Sequence, residues 1–374
     1  MTSDALPTYP PARLRAVVVQ MEGVHEECVP ALAHLLRMNG VEPKIYLPVR
    51  VQKNRPGFRK HFPDVAGSVE FVKIRRAGHW RMLMEELHEQ EPDLLVMNTF
   101  QNEGPGAWVS SWEGRMLGIV HNPKRLWNSP SSMALVQQRR IGLLTLAPHA
   151  TATLMAHDPD LYGTAATITS AFPTPPRVEA AKSHGLRRIV VPGGVNFISR
   201  DYVQVLDALR DIGSQVDLTS FQIIIAGGGK DRAKLEEMVA ERGLGAQFFF
   251  TPVDPSGYVP GTRYYRQLHA AHFLLPLIPP TAAAFRSWKI TSAVPTSLGL
   301  GLPLIVDRWT QTVYDLPAVG YPPSSIREGL LRALTMPEAE HAELCAAVAA
   351  RREHELDRAG AEMRYALTSL GLPV

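Results

Sequence analysis

Residues 221–231 read Phe-Gln-Ile-Ile-Ile-Ala-Gly-Gly-Gly-Lys-Asp, and residues 288–307 read Trp-Lys-Ile-Thr-Ser-Ala-Val-Pro-Thr-Ser-Leu-Gly-Leu-Gly-Leu-Pro-Leu-Ile-Val-Asp. The first stretch predicts a buried strand that passes through a glycine turn into a helix. The second predicts a short helix, a Gly-Leu-Pro turn and another buried strand. Backbone N–H groups in both places are available to an anion, so the two stretches indicate both the fold and a ligand type.

Strands alternate with helices on both sides of these stretches. The N-terminal half predicts strands at 14–20, 41–48, 69–74, 94–99, 116–121, 141–146 and 166–170, with helices at 22–39 and 82–89. The C-terminal half predicts strands at 188–191, 221–226, 247–251, 273–276 and 303–306, with helices at 201–212, 231–241, 264–271 and 337–370. This alternation is typical of βαβ units, so we expect an α/β protein of two doubly wound, Rossmann-like halves that face a cleft.

A proline cluster, Phe-Pro-Thr-Pro-Pro-Arg at 172–177, marks the expected domain boundary, because neither a strand nor a helix tolerates it. The predicted organisation is a flexible tail (1–11), an N-terminal domain (12–171), a Pro-rich linker (172–185), a C-terminal domain (186–352) and a last helix (353–374) that crosses back to the N-terminal domain.

The composition is that of an ordinary globular chain with a small surplus of positive charge, +3 at pH 7 and a pI near 8.8. Basic residues cluster in a predicted loop at Lys53, Arg55, Arg59, Lys60 and His61. The cluster is interpreted as a solvated surface or as a face for an anionic acceptor or a membrane, and no nucleic-acid module accompanies it.

The two cysteines lie far apart in sequence, no apolar run reaches the length of a membrane helix, and no export signal is visible. We therefore expect a cytoplasmic protein, with any membrane contact peripheral to the inner face. No histidine and glutamate pair has zincin spacing and no Gly-x-Ser-x-Gly elbow occurs, so neither a metal site nor a serine hydrolase is predicted.

Two glycine turns in the C-terminal half are candidate binding elements. Gly193 and Gly194 follow a predicted strand, and Arg200 opens the next helix. The second turn, at Gly227, Gly228 and Lys230, is not a dinucleotide fingerprint, because Arg232 occupies the place of the last glycine. Ordinary tight turns explain the glycines equally well.

The segment 289–301 combines Lys289 with hydroxyl residues, notably Thr296 and Ser297, and places Pro295 in the first turn of a helix. A helix N-terminus beside cations is a suitable anion site, although an ordinary helix cap has the same composition.

The N-terminal half offers polar residues where its strands end. His121 closes the fifth strand and is a candidate to bind a hydroxyl or to take a proton near neutral pH. Glu22 and His25 follow the first strand, and Thr99 and Glu103 follow the fourth. Glu22 is a second catalytic candidate, and the other three are placed on an acceptor side.

The order of these motifs resembles the GT-B glycosyltransferases, nearest to family 4. The resemblance rests on the Gly193–Arg200 turn, the strand into Gly227, the Tyr-x-x-Leu-x-x-Ala-x-Phe pattern at 265–273 and the Gly-Leu-Pro-Leu-Ile-Val run at 301–306. It implies that His121 lies at the strand end of the first domain, and that Gly193, Gly194, Arg200 and the Lys289–Ser297 segment hold a donor diphosphate. The sequence departs from the family at Trp288 and Thr296, where paired glutamates are usual.

The resemblance implies a transferase that moves a sugar from a UDP- or GDP-type donor to a glycan, lipid-linked or natural-product acceptor. It implies no cofactor and no metal, since the cationic segment would stabilise the leaving diphosphate. Two alternatives stay open, namely a nucleotide-sugar epimerase of the same architecture and a non-catalytic binding protein.

Overall fold

The computed structural model describes residues 9–54, 57–74, 77–138, 140–161, 163–178 and 185–374. Two compact units divide the chain. The first contains Met1–Thr174, Ser287–Ile290 and Glu355–Val374, and the second contains Pro175–Arg286 and Thr291–His354. Parts of the predicted tail (1–8), of the predicted linker (179–184) and of the basic cluster (Arg55) lie outside the described residues.

The first unit is built on a parallel sheet in the order β3-β2-β1-β4-β5-β6-β7. Its described strands are β1 (Leu14–Val19), β2 (Val41–Pro48), β3 (Val69–Val72), β4 (Leu94–Met97), β5 (Met116–Val120), β6 (Gly142–Thr145) and β7 (Ala165–Thr167). β4 and β5 are buried along their whole length, as expected for a parallel sheet with both faces covered. The predicted strands are confirmed within three residues at each end.

Helices connect and cover this sheet. They are α1 (Val29–Met38), α2 (Val49–Asn54), α3 (Phe58–His61), α4 (Pro63–Ala66), α5 (Ala77–Gln90), α6 (Glu103–Trp108), α7 (Pro123–Trp127), α8 (Pro130–Gln137) and α9 (Pro148–His157). Two expectations are wrong here. The helix expected from Glu22 begins only at Val29, because Pro30 is accepted best in a first turn and a short 3₁₀ turn precedes it. The expected basic loop consists of the short helices α2 to α4.

The second unit repeats the arrangement with the order β10-β9-β8-β11-β12-β13. Its described strands are β8 (Arg187–Val191), β9 (Phe221–Ile225), β10 (Phe248–Phe250), β11 (Phe273–Leu274), β12 (Leu304–Asp307) and β13 (Ala318–Tyr321). Its helices are α10 (Tyr202–Ile212), α11 (Arg232–Glu241), α12 (Gly261–His269), α13 (Ala284–Ser287), α14 (Ala293–Leu300), α15 (Arg308–Tyr314) and α16 (Ile326–Thr335). The strand pairs are parallel, so the doubly wound α/β prediction is confirmed for both halves.

The last helix, α17 (Glu338–Ser369), contributes residues to both units, since the division falls after His354. Within the first unit it packs closely on α1. The Asn39 side chain donates to the Gly360 carbonyl at 3.1 Å, and a Cβ on Gly360 would lie 2.9 Å from the Met38 methyl carbon. A glycine at 360 therefore permits this close approach.

In both sheets the strand order reverses beside the first strand, between β1 and β4 and between β8 and β11. Ligands of open α/β sheets bind outside the carboxyl ends of the strands at this reversal. The topology thus directs attention to the turns after β1 and β4 in the first unit, and after β8 and β11 in the second.

Candidate functional site

Buried amide side chains occupy the strand reversal of the first unit. Gln20, after β1, and Asn98, after β4, are fully buried. The Asn98 amide donates to the Gln20 side-chain oxygen at 2.8 Å and to the His25 carbonyl at 2.9 Å, and Thr99 Oγ1 donates to the same Gln20 oxygen at 3.3 Å. These bonds hold the turn of residues 20–25 against the end of β4.

His121, after β5, completes this cluster. Its Nε2 lies 2.7 Å from the Asn98 carbonyl oxygen and therefore carries the proton that it donates. Burial, and next the neighbouring His25, lower the pKa of His121 to about 3. With this pKa the imidazole is uncharged throughout the neutral range, and the catalytic role predicted for His121 stays a prediction.

His25 lies over His121, with the two rings stacked. It adopts a left-handed backbone conformation, φ 71°, and its side chain is about one-third exposed. Burial lowers its pKa, and the carboxylates of Glu22 and Glu26 offset part of that effect. Of the two histidines, His25 is thus the one that solvent and a ligand can reach.

The two predicted glutamates differ in what they contact. Glu22 accepts a hydrogen bond from the Asn102 amide and belongs to the same cluster. Glu103 is exposed and accepts hydrogen bonds from Ser129, Ser131 and the Ser131 backbone N–H, and the bonds from Ser131 lower its pKa. Because these bonds cap the start of α8, Glu103 has a structural role there.

Arg200 occupies the strand reversal of the second unit. Its guanidinium donates to the Gly194 carbonyl at 3.1 Å, after β8, and to the Pro276 carbonyl at 2.5 Å, after β11. Burial lowers the pKa of the guanidinium, which remains charged as arginine does in proteins. Among the described residues, no carboxylate pairs with this cation.

Two other arginines of the second unit, the partly buried Arg232 and the buried Arg286, are paired. Arg232 also donates to a turn carbonyl, that of Gly227 at 3.2 Å, but it forms an ion pair with Glu236 at 2.8 Å. Arg286 forms an ion pair with Asp307 at 2.9 Å. A partly desolvated charge is costly without a counter-ion, so Arg200 differs from both in a way that favours an anionic ligand.

The two glycine turns require glycine for different structural reasons. Gly193 has φ 80°, and a Cβ there would lie 2.5 Å from the Arg200 guanidinium. A Cβ on Gly227 would lie 1.8 Å from the Gly193 carbonyl oxygen, and one on Gly228 would lie 1.9 Å from the Gly257 carbonyl oxygen. The second turn therefore consists of glycine because it packs on other backbone, whereas Gly193 makes room for Arg200.

The hydroxyls of the 289–301 segment serve its own helix. Thr296 Oγ1 donates to the Ser292 carbonyl at 2.7 Å and Ser297 Oγ donates to the Leu302 carbonyl at 2.5 Å, and both residues are buried. Pro295 lies in the first turn of α14, as predicted. The hydroxyl protons are thus engaged by backbone carbonyls in this structure.

Lys289 belongs to a short stretch, Ser287–Ile290, that packs with the first unit. Its carbonyl accepts a hydrogen bond from His149 at 2.9 Å, while the neighbouring Trp288 ring lies under the Lys124 ammonium at 3.6 Å. Trp288, at a position where the family resemblance implies a glutamate, is therefore a packing residue of the first unit. Lys230 is exposed on the turn after β9.

The buried amides Gln20 and Asn98 were not predicted from the sequence. Each ends an apolar strand run, Val-Val-Val-Gln and Leu-Leu-Val-Met-Asn, so a polar residue closing such a run was the available signal. In the described part of the chain, no three His, Cys, Asp or Glu residues are grouped to hold a metal ion. No helix formed by the described residues is long and apolar enough to cross a membrane.

Two units of this kind, each a doubly wound parallel sheet with polar groups at its strand reversal, define a two-domain Rossmann-like α/β fold. A scan against protein-family models gives no match, and a sequence search of curated proteins gives none either. Solved structures share the fold at low sequence identity.

Three of these structures illustrate the likeness. Anabaena HepE in complex with UDP and glucose is 10% identical with a TM-score of 0.63, covering 96% of this chain and 100% of that one. The N-terminal domain of Candida albicans trehalose-6-phosphate phosphatase is 10% identical with a TM-score of 0.61, covering 97% and 100%. A Listeria monocytogenes protein assigned as a UDP-N-acetylglucosamine 2-epimerase is 12% identical with a TM-score of 0.56, covering 90% and 91%.

Proposed function

We propose that this protein is a glycosyltransferase that moves a sugar from a nucleoside-diphosphate sugar to an acceptor hydroxyl. The observation that carries the proposal is Arg200, a partly buried cation without a carboxylate partner among the described residues, at the strand reversal of the second sheet. A diphosphate supplies the missing negative charge and accepts the remaining guanidinium protons. The fold shared with a structure that holds UDP and glucose is in keeping with this assignment.

The donor would lie on the second unit against Gly193, Gly194 and Arg200. Charge accumulates on the diphosphate oxygens as the bond from the sugar to phosphate breaks, and a fixed cation stabilises that charge without reorganising. Thr296 and Ser297 would stabilise α14 and would not bind the phosphates, because their protons are engaged. The relation to family 4 rests on motif order alone and is part of the proposal.

The acceptor would lie on the first unit against His25, with Glu22 as the carboxylate that receives or relays its proton. His121 would be a positioning residue, since it is fixed by the Asn98 carbonyl and stays neutral. In this proposal Glu22, and not His121, exchanges the proton.

An epimerase is the second candidate, because the Listeria protein assigned to that activity shares the fold. The test is an assay of UDP- and GDP-sugars with and without a panel of glycan, lipid and small-molecule hydroxyl acceptors. A transferase releases the nucleoside diphosphate at a rate that rises with an acceptor. Epimerisation of the sugar with the donor alone would establish the epimerase instead. If the protein binds the nucleotide sugar tightly but catalyses neither reaction, the result would support a non-catalytic binding protein.

A further inference from the structure

A pocket with a mixed polar and apolar lining lies in the first unit, away from the strand reversal. It has a volume of 470 Å³ and is lined by the edge strand β7, by α9 and by the last helix. Ligand pockets typically measure about 300–1,000 Å³, so one small molecule fits. Its polar lining comes from Thr151, Thr167, Glu362 and Tyr365.

The floor of the pocket is a chain of threonine hydroxyls. Thr145, the last residue of β6, bonds to Thr151, and Thr151 bonds to Thr167, the last residue of β7. All three residues are buried. A hydroxyl has one proton and two lone pairs, so Thr167 at the end of the chain keeps capacity for further hydrogen bonds toward the pocket.

Glu362 forms one wall. One of its carboxylate oxygens accepts a hydrogen bond from the Thr167 backbone N–H at 3.4 Å. Within the described residues, no donor contacts its other oxygen. A carboxylate oxygen at the edge of a pocket accepts strongly from ligand hydroxyls.

Tyr365, about one turn further along the same helix, also lines the pocket and presents a flat ring. The side chain is 51% exposed, yet its hydroxyl donates to the Gly163 carbonyl at 3.1 Å, which fixes the ring orientation. Gly163 has φ 89°, and a Cβ there would lie 3.5 Å from the Tyr365 oxygen. An exposed aromatic face held in place is suited to stacking against the weakly polarised C–H bonds of a sugar ring.

We propose that this pocket binds one neutral sugar unit, with its hydroxyl groups on Thr167 and Glu362 and its C–H face on Tyr365. No lysine or arginine occurs among the described lining residues, which disfavours an anion, and a single carboxylate is too few for a metal ion. The hydroxyl floor disfavours a wholly apolar ligand. The site is independent of the donor site, so it is tested without any nucleotide.

The experiment is saturation-transfer NMR of the full chain with methyl β-D-glucoside, methyl β-D-galactoside and methyl α-D-mannoside, at about 10 mM each because small neutral ligands bind weakly. Cyclohexanol is the apolar probe of similar ring size. The variants are Tyr365→Ala, Glu362→Gln and Tyr365→Phe. Tyr258→Ala is the matched control, since Tyr258 is 48% exposed on the second unit.

We expect at least one glycoside to show transfer to its ring protons, with affinity about tenfold weaker in Tyr365→Ala and in Glu362→Gln. Tyr365→Phe keeps the ring and should stay within about threefold, as should Tyr258→Ala. The proposal is overturned if no glycoside binds, if cyclohexanol binds as well as the glycosides, or if His121→Ala abolishes transfer while Tyr365→Ala leaves it intact. The last result would place the sugar at the acceptor site instead.

Discussion

The imidazole rings of His25 and His121 lie stacked, with centroids 4.0 Å apart and planes inclined by 19°. The Asn98 carbonyl fixes His121 from the other side. Because burial and the neighbouring imidazole both oppose a positive charge on His121, it serves as a neutral support and His25 is the ring open to a ligand. The acceptor chemistry proposed for the first unit depends on this difference between the two rings.

The first prediction concerns pH. The pKa of His121 falls from 6.5 to about 3 on folding. As pH falls, the unfolded chain takes up the proton first. The free energy of unfolding is therefore unaffected by His121 above pH 6.5 and decreases progressively as the pH falls toward 3. The loss is at most about 1.4 kcal/mol per pH unit for one proton. Urea unfolding at several pH values should show this slope and should show it reduced in His121→Asn.

The same histidine gives a spectroscopic readout. NMR of the ring protons should show that the His121 resonance, identified by its absence in His121→Asn, keeps its neutral position from about pH 8 down to about pH 4. A midpoint near the ordinary histidine pKa would contradict the buried, neutral state.

The second prediction concerns the turn after β9. Gly228→Ala forces a methyl group into the Gly257 carbonyl oxygen, where the gap is 1.9 Å, so backbone must move. We expect a loss of about 2–4 kcal/mol in the free energy of unfolding. Gly245→Ala is the control, because no atom lies within 4 Å of a Cβ there and it should change stability by less than about 0.5 kcal/mol. Equal stability of the two variants, measured by urea denaturation, would be evidence against this packing.

The third prediction concerns Gly193. Alanine there displaces the Arg200 guanidinium, whose nearest atom would lie 2.5 Å away, and so moves the cation that binds the donor. We expect about tenfold weaker UDP binding by calorimetry. Gly243→Ala is the control. Gly243 also has a left-handed backbone, φ 68°, but open space around a Cβ, so alanine there reproduces the backbone strain without contacting Arg200. If both variants lose affinity equally, the effect is backbone strain and not displacement of Arg200.

The fourth prediction concerns metal ions. If Arg200 and the turn N–H groups stabilise the leaving diphosphate, transfer should proceed at an unchanged rate after chelation. The measurement is the initial rate of nucleoside diphosphate release in EDTA and with added Mg²⁺ or Mn²⁺. A rate restored only by one of these ions would show that the charge is neutralised by a metal.

Much of the fold could be predicted from local sequence patterns. Continuous apolar runs identified the strands of both sheets except β13, and the parallel arrangement followed from their alternation with helices. β13 was missed because Ala-Val-Gly-Tyr is short, only partly buried and interrupted by Gly320. Position 320 requires a glycine because a Cβ there would lie 2.1 Å from the Gln311 side-chain oxygen. Such a contact depends on tertiary packing and leaves no local signal.

The candidate site was predictable only in part. Arg200 could be located because a basic residue after a glycine turn is a local pattern. What distinguishes it from Arg232 and Arg286, the lack of a carboxylate partner among the described residues, depends on contacts across strands. The roles of Thr296 and Ser297 could not be inferred for the same reason. A threonine or serine that binds phosphate and one that bonds to its own helix backbone are the same residue in the sequence.

The proposed function depends most directly on Arg200 as the cation that binds the donor diphosphate. The decisive measurement is calorimetric titration of UDP, GDP and dTDP into the wild type, Arg200→Ala and Arg187→Ala. Arg187 is the matched control, because it lies at the other end of β8, donates to the Ala333 carbonyl at 3.1 Å and is paired with Glu338.

We predict that the wild type binds at least one of these nucleotides and that Arg200→Ala weakens it about 50-fold, the effect of losing a charged hydrogen bond. Arg187→Ala should stay within about threefold of the wild type, because its guanidinium touches no part of the strand reversal. Failure of the wild type to bind any nucleoside diphosphate, or equal losses in the two variants, would contradict the account.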